Sequence, residues 1–173
     1  MAYSCTQTLA GLARDCSANV GGVKNVYIAN KDDVASITVT NDAVSAITMN
    51  SSATFKKYYQ KRGRASVTSS PQFNDAGEYA GESTVLSLNF PRQDSTKRLE
   101  IAALSVAELV VVYEDNNGEC WLLGYDNGVV RTGGDAASGT AATDTNQYAI
   151  ELTDISNQLP YNVPKNVIEA LVA

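Results

Sequence analysis

The alternation of short apolar segments with turn residues constrains the fold of this chain more than any other feature. Residues 109–113 are continuously apolar, which is typical of a buried central strand. Residues 114–118 contain Asn-Gly, the strongest short-range signal for a β-hairpin, and residues 119–125 supply the returning strand. An Asp-Asn-Gly turn at residues 126–128 then leads into residues 129–131. This order predicts antiparallel strands joined by tight turns.

Further strands are indicated on both sides of this region. Residues 23–34 are typical of a short strand followed by a polar turn. Residues 35–40 alternate between apolar and polar side chains, and residues 44–49 form the second arm of a predicted hairpin around an Asn-Asp turn. Residues 84–90 and 148–152 alternate in the same way. Each alternating strand is expected to have one buried face and one more exposed face.

One helix is predicted between two of these strands. Asp94 or Ser95 can cap its first turn, and the helix is expected to end near Ser105. Its apolar residues share one stripe, widened by Ile101 and Leu104, and we expect this stripe to pack broadly against a sheet. The stripe consists of Leu99, Ala102, Ala103 and Val106.

The pattern as a whole predicts a mainly β fold, an antiparallel β-sandwich or flattened barrel with one flanking α-helix and extended arms. No shift in composition divides the chain, so we expect residues 1–173 to form a single domain. Residues 6–16 are typical of a weak amphipathic helix or an arm. Near the other end, Val167, Ile168 and Leu171 form a short helical stripe after two prolines.

Composition excludes several classes of function. The chain has no histidine, so a Ser-His-Asp or Cys-His catalytic centre and a histidine metal cage are ruled out. Cys5, Cys16 and Cys120 are an odd number at scattered positions, which argues against a disulfide framework. No apolar run approaches the roughly 18 residues of a membrane span, and the N-terminus lacks the pattern of a secretory signal. We therefore expect no contact with membrane.

The remaining polar motifs do not indicate an enzyme or a cofactor. Glu114 and Asp115 are adjacent and are expected to be solvated turn residues rather than a catalytic pair. The Gly-rich residues 132–139 resemble a phosphate-binding loop only superficially, because the Gly-Lys-Ser/Thr ending is missing. We predict no catalytic residue, no cofactor and no metal ligand.

The most unusual segment is a basic and aromatic stretch at residues 55–72, which holds five of the thirteen basic residues. It could make contact with another copy of the chain, form a solvated surface, or bind single-stranded nucleic acid by stacking and phosphate contacts. The predicted self-assembly residues are Lys56, Lys57, Tyr58, Tyr59, Lys61, Arg62 and Arg64.

The charge balance favours a second copy as the partner of this segment. The chain has a formal net charge of −6 and a pI of about 4.6, so a strongly basic nucleic-acid binder is disfavoured. A basic arm that meets an acidic body is a head-to-tail contact, which closes into rings or extends into filaments. Shared strand edges could add the strength that exposed ion pairs lack.

The order of these segments resembles the tail tube proteins of tailed phages, especially those that infect Bacteroidetes. The resemblance covers roughly residues 20–165 and is most specific at residues 115–124 and the Gly-rich loop that follows. It implies a β-sandwich with one flanking helix, and hexameric rings stacked into a tube that conducts DNA during ejection. Such a protein would be assembled in the host cytoplasm and located in the virion tail, beside other tail proteins.

The resemblance also assigns roles to segments. Residues 55–81 would be a protruding arm between rings, and residues 1–20 and 160–173 would be arms that become ordered on neighbouring copies. The hairpins at residues 35–49 and 84–90 would be candidates for the lumen, where an acidic wall lets DNA slide without specific binding.

Two alternatives stay open at the level of sequence. Related phage ring components include tail terminators, head–tail connectors and baseplate hubs, and the sequence does not separate these from a tail tube protein. A β-sandwich that binds carbohydrate or a host surface would instead use exposed aromatic residues such as Tyr58, Tyr59 and Tyr125.

Overall fold

A computed structural model describes residues 9–172 and has a mainly β fold with two short helices. The helices are α1 (Ser95–Val106) and α2 (Lys165–Glu169). The strands, in chain order, are β1 (Val23–Asn30), β2 (Val34–Thr40), β3 (Ala43–Met49), β4 (Lys56–Tyr59), β5 (Ala65–Phe73), β6 (Tyr79–Pro91), β7 (Leu109–Asp115), β8 (Cys120–Leu123), β9 (Val129–Gly133), β10 (Ala136–Ala137), β11 (Gln147–Ser156) and β12 (Tyr161–Asn162).

Strands β1 and β7 lie at the centre and are buried on both faces. They pair antiparallel along their length, with Ile28 opposite Val111. Because successive side chains of a strand point to opposite faces, these two strands supply two cores. One core lies against β5, β6, β9, β11 and α1, and the other lies against β2, β3, β12 and α2. The prediction that residues 109–113 form a central buried strand is confirmed.

All strands belong to one continuous sheet whose main path runs β2-β3-β12-β8-β7-β9-β11-β6-β5, with β4 added to β1. Within residues 9–172, the strand pairings are antiparallel except for a parallel contact between β12 and β3, and a further parallel bridge outside the named strands joins Phe55 to Val172. Within the described residues, β2, β4 and β5 each pair with a single strand, so each has an open edge. The predicted mainly β fold with a flanking helix is therefore confirmed.

The turns that the sequence indicated occur where they were predicted. The β2–β3 hairpin turns at Asn41 and Asp42, which both have positive φ angles (52° and 59°), as their short polar side chains allow. The Asn-Gly turn joins β7 to β8, with Gly118 at φ 94°.

Helix α1 confirms the predicted N-cap and corrects the predicted packing face. The Asp94 carboxylate accepts a hydrogen bond from the Lys97 backbone N–H at 2.8 Å, which satisfies one free donor of the first turn. Only Ile101 and Leu104 are buried against the sheet. The predicted stripe of Leu99, Ala102, Ala103 and Val106 faces away from the protein and is exposed.

The two ends of the chain, both expected to be arms that become ordered on neighbouring copies, differ from each other. Residues 9–22 are exposed throughout and form no helix, so the helical alternative for residues 6–16 does not hold over 9–16; residues 1–8, with Cys5, lie outside the described part. In contrast, the described part of 160–173 packs on the protein's own body, where Val163 and Ile168 are buried.

Candidate self-assembly interface

The predicted self-assembly residues lie on β4 and on the turn that follows it. β4 pairs with β1, with Lys57 opposite Tyr27 and Tyr59 opposite Asn25. Phe55, immediately before β4, is fully buried and fixes the start of the strand. The other edge of β4 has no strand partner within residues 9–172. The segment is therefore an edge strand of the body.

Two tyrosines on β4 have different roles because adjacent side chains point to opposite faces. Tyr58 is half-buried, packs edge-to-face on Phe90 at 6.2 Å between ring centroids, and donates a hydrogen bond to the Glu100 carboxylate. Burial, together with this carboxylate, raises the pKa of Tyr58 above its usual value, so the hydroxyl remains a donor. Tyr59 is exposed and makes no such contact. Tyr58 thus holds β4 to α1, and Tyr59 is available to a partner.

The basic side chains of this segment form what we call the basic edge, defined as Lys56, Lys57, Lys61, Arg62 and Arg64. The Lys57 ammonium lies 5.8 Å from the centroid of the Tyr27 ring, and Arg64 donates to the Gln147 side chain at 3.1 Å. No carboxylate among residues 9–172 lies within ion-pair distance of any of the five. Because Lys56 and Lys57 point to opposite faces of β4, the basic edge places uncompensated positive charge on both sides of this strand.

The hairpin formed by β5 and β6 extends beyond the rest of the sheet. The pairing of β6 with β11 ends at Glu82 and Ser156, whereas β5 and β6 continue to pair out to Phe73 and Tyr79. Residues 70–80 are all exposed. Gly81 lies where β6 separates from β11, and a side chain is not tolerated there because a Cβ would lie 2.4 Å from the Ser156 carbonyl oxygen. The end of this hairpin is therefore a prong that contacts little of its own body.

The end of the prong, residues 73–79, is here called the acidic tip, because its charged side chains are Asp75 and Glu78. Its turn is preorganised by Asn74, whose side-chain oxygen accepts from the Ala76 and Glu78 backbone N–H groups at 3.0 and 2.9 Å. Phe73 and Tyr79 pack edge-to-face across the base of the turn. The tip thus offers negative charge beside exposed aromatic surface.

The structure separates the two halves of the predicted arm, residues 55–81. The basic residues lie on the body, and the part that protrudes carries negative charge. This reverses the expected polarity, in which a basic arm meets an acidic body. The reason is that Phe55 and Tyr58 are buried or half-buried anchors, whereas residues 70–80 contain no buried side chain.

Glu114 corrects the expectation of a solvated turn residue. It is the last but one residue of β7, and its side chain is 1% exposed. It accepts hydrogen bonds from Lys165 at 2.8 Å and from Asn25. Burial alone would raise the pKa of Glu114, but these hydrogen bonds and the charges of Lys165 and Lys24 lower it below its usual value. The carboxylate fastens α2 to the central strands.

Other buried titratable groups serve the fold. Asp154 accepts from the Gly124 backbone N–H at 3.0 Å, and burial raises the pKa of its carboxyl group. Burial raises the pKa of Cys120 to about 11, whereas Cys16 is exposed on the N-terminal arm. Within residues 9–172, no group of acidic and cysteine side chains is arranged to hold a metal ion. No described helix has the length and apolar character needed to cross a membrane.

No protein-family model, curated protein or solved structure matches the chain.

Sequence reasoning did not find the acidic tip, although a signal was present. Asn74-Asp75-Ala76-Gly77 has an Asn at the first position and a Gly at the fourth, which is typical of a type I turn. Together with residues 65–73 as a strand, this turn signal indicates a long hairpin.

Proposed function

We propose that this chain is the structural subunit of a phage tail tube, in which rings of copies, six in each ring, stack into a tube that conducts DNA during ejection. The role needs no enzyme activity and no cofactor. The subunit would be assembled in the host cytoplasm and located in the virion tail. The observation that carries the proposal is that one chain has both an acidic, protruding tip and an uncompensated basic edge, at separate places on its surface.

These two surfaces cannot meet within one copy. The basic edge ends at Arg64, immediately before β5, and the acidic tip begins at Phe73, the last residue of β5. β5 has nine residues, so the surfaces are separated by about 30 Å of extended strand. A tip that meets a basic edge therefore belongs to another copy. Such a contact is head-to-tail, which is the symmetry of rings and stacked tubes.

The contact has both an electrostatic and an apolar component. Exposed ion pairs contribute typically less than about 1 kcal/mol each, so Asp75 and Glu78 would set register more than strength. Phe73 and Tyr59 are large, exposed aromatic residues, 62% and 73% accessible. Their burial in the contact would supply the apolar component. The net charge of −6 is also compatible with a lumen through which DNA passes without specific binding.

Charge reversal on each surface tests the contact. Asp75→Lys with Glu78→Lys makes both surfaces positive, and Lys56→Glu with Lys57→Glu and Lys61→Glu makes both negative. We expect each variant to fold and to lose stacking, because like charges face each other. An equimolar mixture restores tubes, since every positive tip then meets a negative edge.

Negative-stain electron microscopy and sedimentation measure these outcomes. For the unchanged protein we expect rings or tubes about 100 Å or less across. Single rings that never stack would favour a tail terminator, connector or baseplate hub over a tube. A protein that remains monomeric at high concentration would contradict self-assembly. If both charge-reversed variants form tubes as well as the unchanged protein, the proposed contact between the acidic tip and the basic edge is contradicted.

A further inference from the structure

The outer face of α1 is an apolar surface that its own chain leaves uncovered. Leu99 and Val106 are 63% and 89% exposed, although Ile101 and Leu104 of the same helix are buried. We call the exposed set the helix stripe: Leu99, Ala102, Ala103 and Val106. Residues 101–106 contain no charged side chain. Residues spaced in this way line one side of a helix, so the uncovered stripe is a candidate interaction surface.

The N-terminal arm carries a second uncovered apolar segment. Leu9 is 94% exposed and Leu12 is fully exposed, and residues 9–13 contain no charged side chain. The arm begins at the β7–β8 turn, where the Val20 backbone N–H donates to the Asn117 side chain at 2.8 Å. Beyond this anchor, residues 9–18 make no hydrogen bond to the described body. Two exposed leucines on such an arm are available to a surface outside their own subunit.

The two surfaces lie at opposite ends of one strand. Val106 ends α1 just before β7 begins at Leu109, and the arm is anchored beside Asn116 and Asn117, just after β7 ends at Asp115. β7 has seven residues, which places about 20 Å between these ends. An arm that leaves one end of a copy and docks at the other end of the next makes a head-to-tail contact, like that of the tip and the basic edge.

We propose that the N-terminal arm of one copy docks through Leu9 and Leu12 on the helix stripe of a neighbouring copy. The occupant is a second copy of this chain, because its N-terminal arm carries the two most exposed large apolar side chains among the described residues, and residues 9–13 have no charge to bury. The proposal rests on the proposed self-assembly, but it assigns a separate contact from that of the tip and the basic edge.

Photo-crosslinking tests the assignment in assemblies of the full chain. Leu12 is replaced by p-benzoylphenylalanine, and protein labelled with 15N is mixed with unlabelled protein before assembly and irradiation. We expect mass spectrometry to find crosslinks from the arm to residues 95–106 that join labelled to unlabelled peptides. Crosslinks to this helix within single copies only would overturn the proposal, as would crosslinks that lie mainly on another surface of the neighbour. In both cases the assembly itself would persist, and the proposed function would stand.

Substitutions provide a second readout. We expect Leu9→Ser with Leu12→Ser to raise the critical concentration for assembly at least about tenfold, and Leu99→Ser with Val106→Ser to do the same. The matched controls, Ala10→Ser with Ala13→Ser on the arm and Arg98→Ala on the helix, change it less than about threefold.

A variant that combines the arm pair (Leu9→Ser with Leu12→Ser) and the stripe pair (Leu99→Ser with Val106→Ser) shows whether the two surfaces contact each other or contact different partners. If the arm contacts the stripe, the critical concentration of the four-residue variant is no higher than that of the more impaired two-residue variant, because either pair of substitutions already removes the contact. Additive losses would contradict the contact. Circular dichroism and thermal unfolding of each variant should match the unchanged protein, since all four side chains are exposed.

Discussion

Within residues 9–172, both terminal segments carry apolar side chains, but only the C-terminal segment is held by the body. At the C-terminal end, Val163 and Ile168 are buried, and the Val163 backbone N–H donates to the Cys120 carbonyl at 2.8 Å. At the N-terminal end, Leu9 and Leu12 are exposed, and the hydrogen bonds to the body end at Asn19. A terminal segment is held where apolar burial and backbone pairing occur together.

A charge adds to this difference. Lys165, the first residue of α2, reaches the buried Glu114, whereas Arg14 and Asp15 of the N-terminal arm form no ion pair with the described body. The C-terminal segment is therefore part of the core, and the N-terminal arm remains available to a neighbour.

The largest expected effect comes from removing a C-terminal apolar anchor. Ile168→Ala leaves a cavity in a fully buried position, so we expect the free energy of unfolding to fall by about 3 kcal/mol. Leu12→Ala removes a similar side chain from the exposed arm and should change it by less than about 0.5 kcal/mol. Urea denaturation of both variants measures the contrast. Equal losses would mean that the arm also packs on its own subunit.

A smaller effect is expected at the buried ion pair. Glu114→Gln keeps the shape of the side chain but removes the charge that faces Lys165, and we expect a loss of about 2 kcal/mol at pH 7. The control is Glu169→Gln, because Glu169 is exposed and lies 3.9 Å from the same Lys165. This control should lose less than about 0.5 kcal/mol.

The effect of Glu114→Gln also has a defined pH dependence. The folded pKa of Glu114 lies below its usual value of 4.5, so the carboxylate stabilises the fold above that pH. This stabilisation is lost as the pH falls through the lowered folded pKa. The difference between the unchanged protein and the variant should therefore shrink as the pH falls below the usual value of 4.5 and through the lowered folded pKa. A difference that stays constant from pH 7 to pH 3 would contradict the role of the charge.

Much of the fold could be predicted from local patterns. Turn residues and alternation located the β2–β3 and β7–β8 hairpins, because these signals depend on neighbouring residues alone. The N-cap at Asp94 is local in the same sense. The continuous apolar run of β7 indicated a strand buried on both faces, and the two cores around β1 and β7 agree with it.

The features that could not be predicted depend on contacts between distant segments. Glu114 is buried because Lys165 and Asn25 reach it from other parts of the chain, and no local pattern distinguishes it from the half-buried Asp115. In α1, apolar residues lie on opposite sides of the helix, and the packing of Ile101 and Leu104 against the sheet leaves Leu99 exposed. The acidic tip was missed for a different reason, since its turn signal is local but the hairpin that carries it is long.

The smallest expected effect concerns the anchor of the N-terminal arm. Asn117→Ala removes the acceptor of the Val20 backbone N–H and the donor to the Asn19 side chain. Both hydrogen bonds are exposed, so we expect a loss of about 0.5 kcal/mol in the free energy of unfolding. Hydrogen exchange is the sharper measurement. The Val20 amide should exchange as fast as an amide in a free chain, while the amides of β1 remain protected.

The matched control for this anchor is Asn127→Ala, which removes a comparable exposed hydrogen bond, to the Ile155 carbonyl, from another turn. It should leave the exchange of the Val20 amide unchanged. If Val20 stays protected in Asn117→Ala, another contact holds the arm, and its direction is not set by the β7–β8 turn. If protection is lost, the turn alone fixes where the arm leaves the body. The same few hydrogen bonds would then determine which neighbour the two leucines can reach.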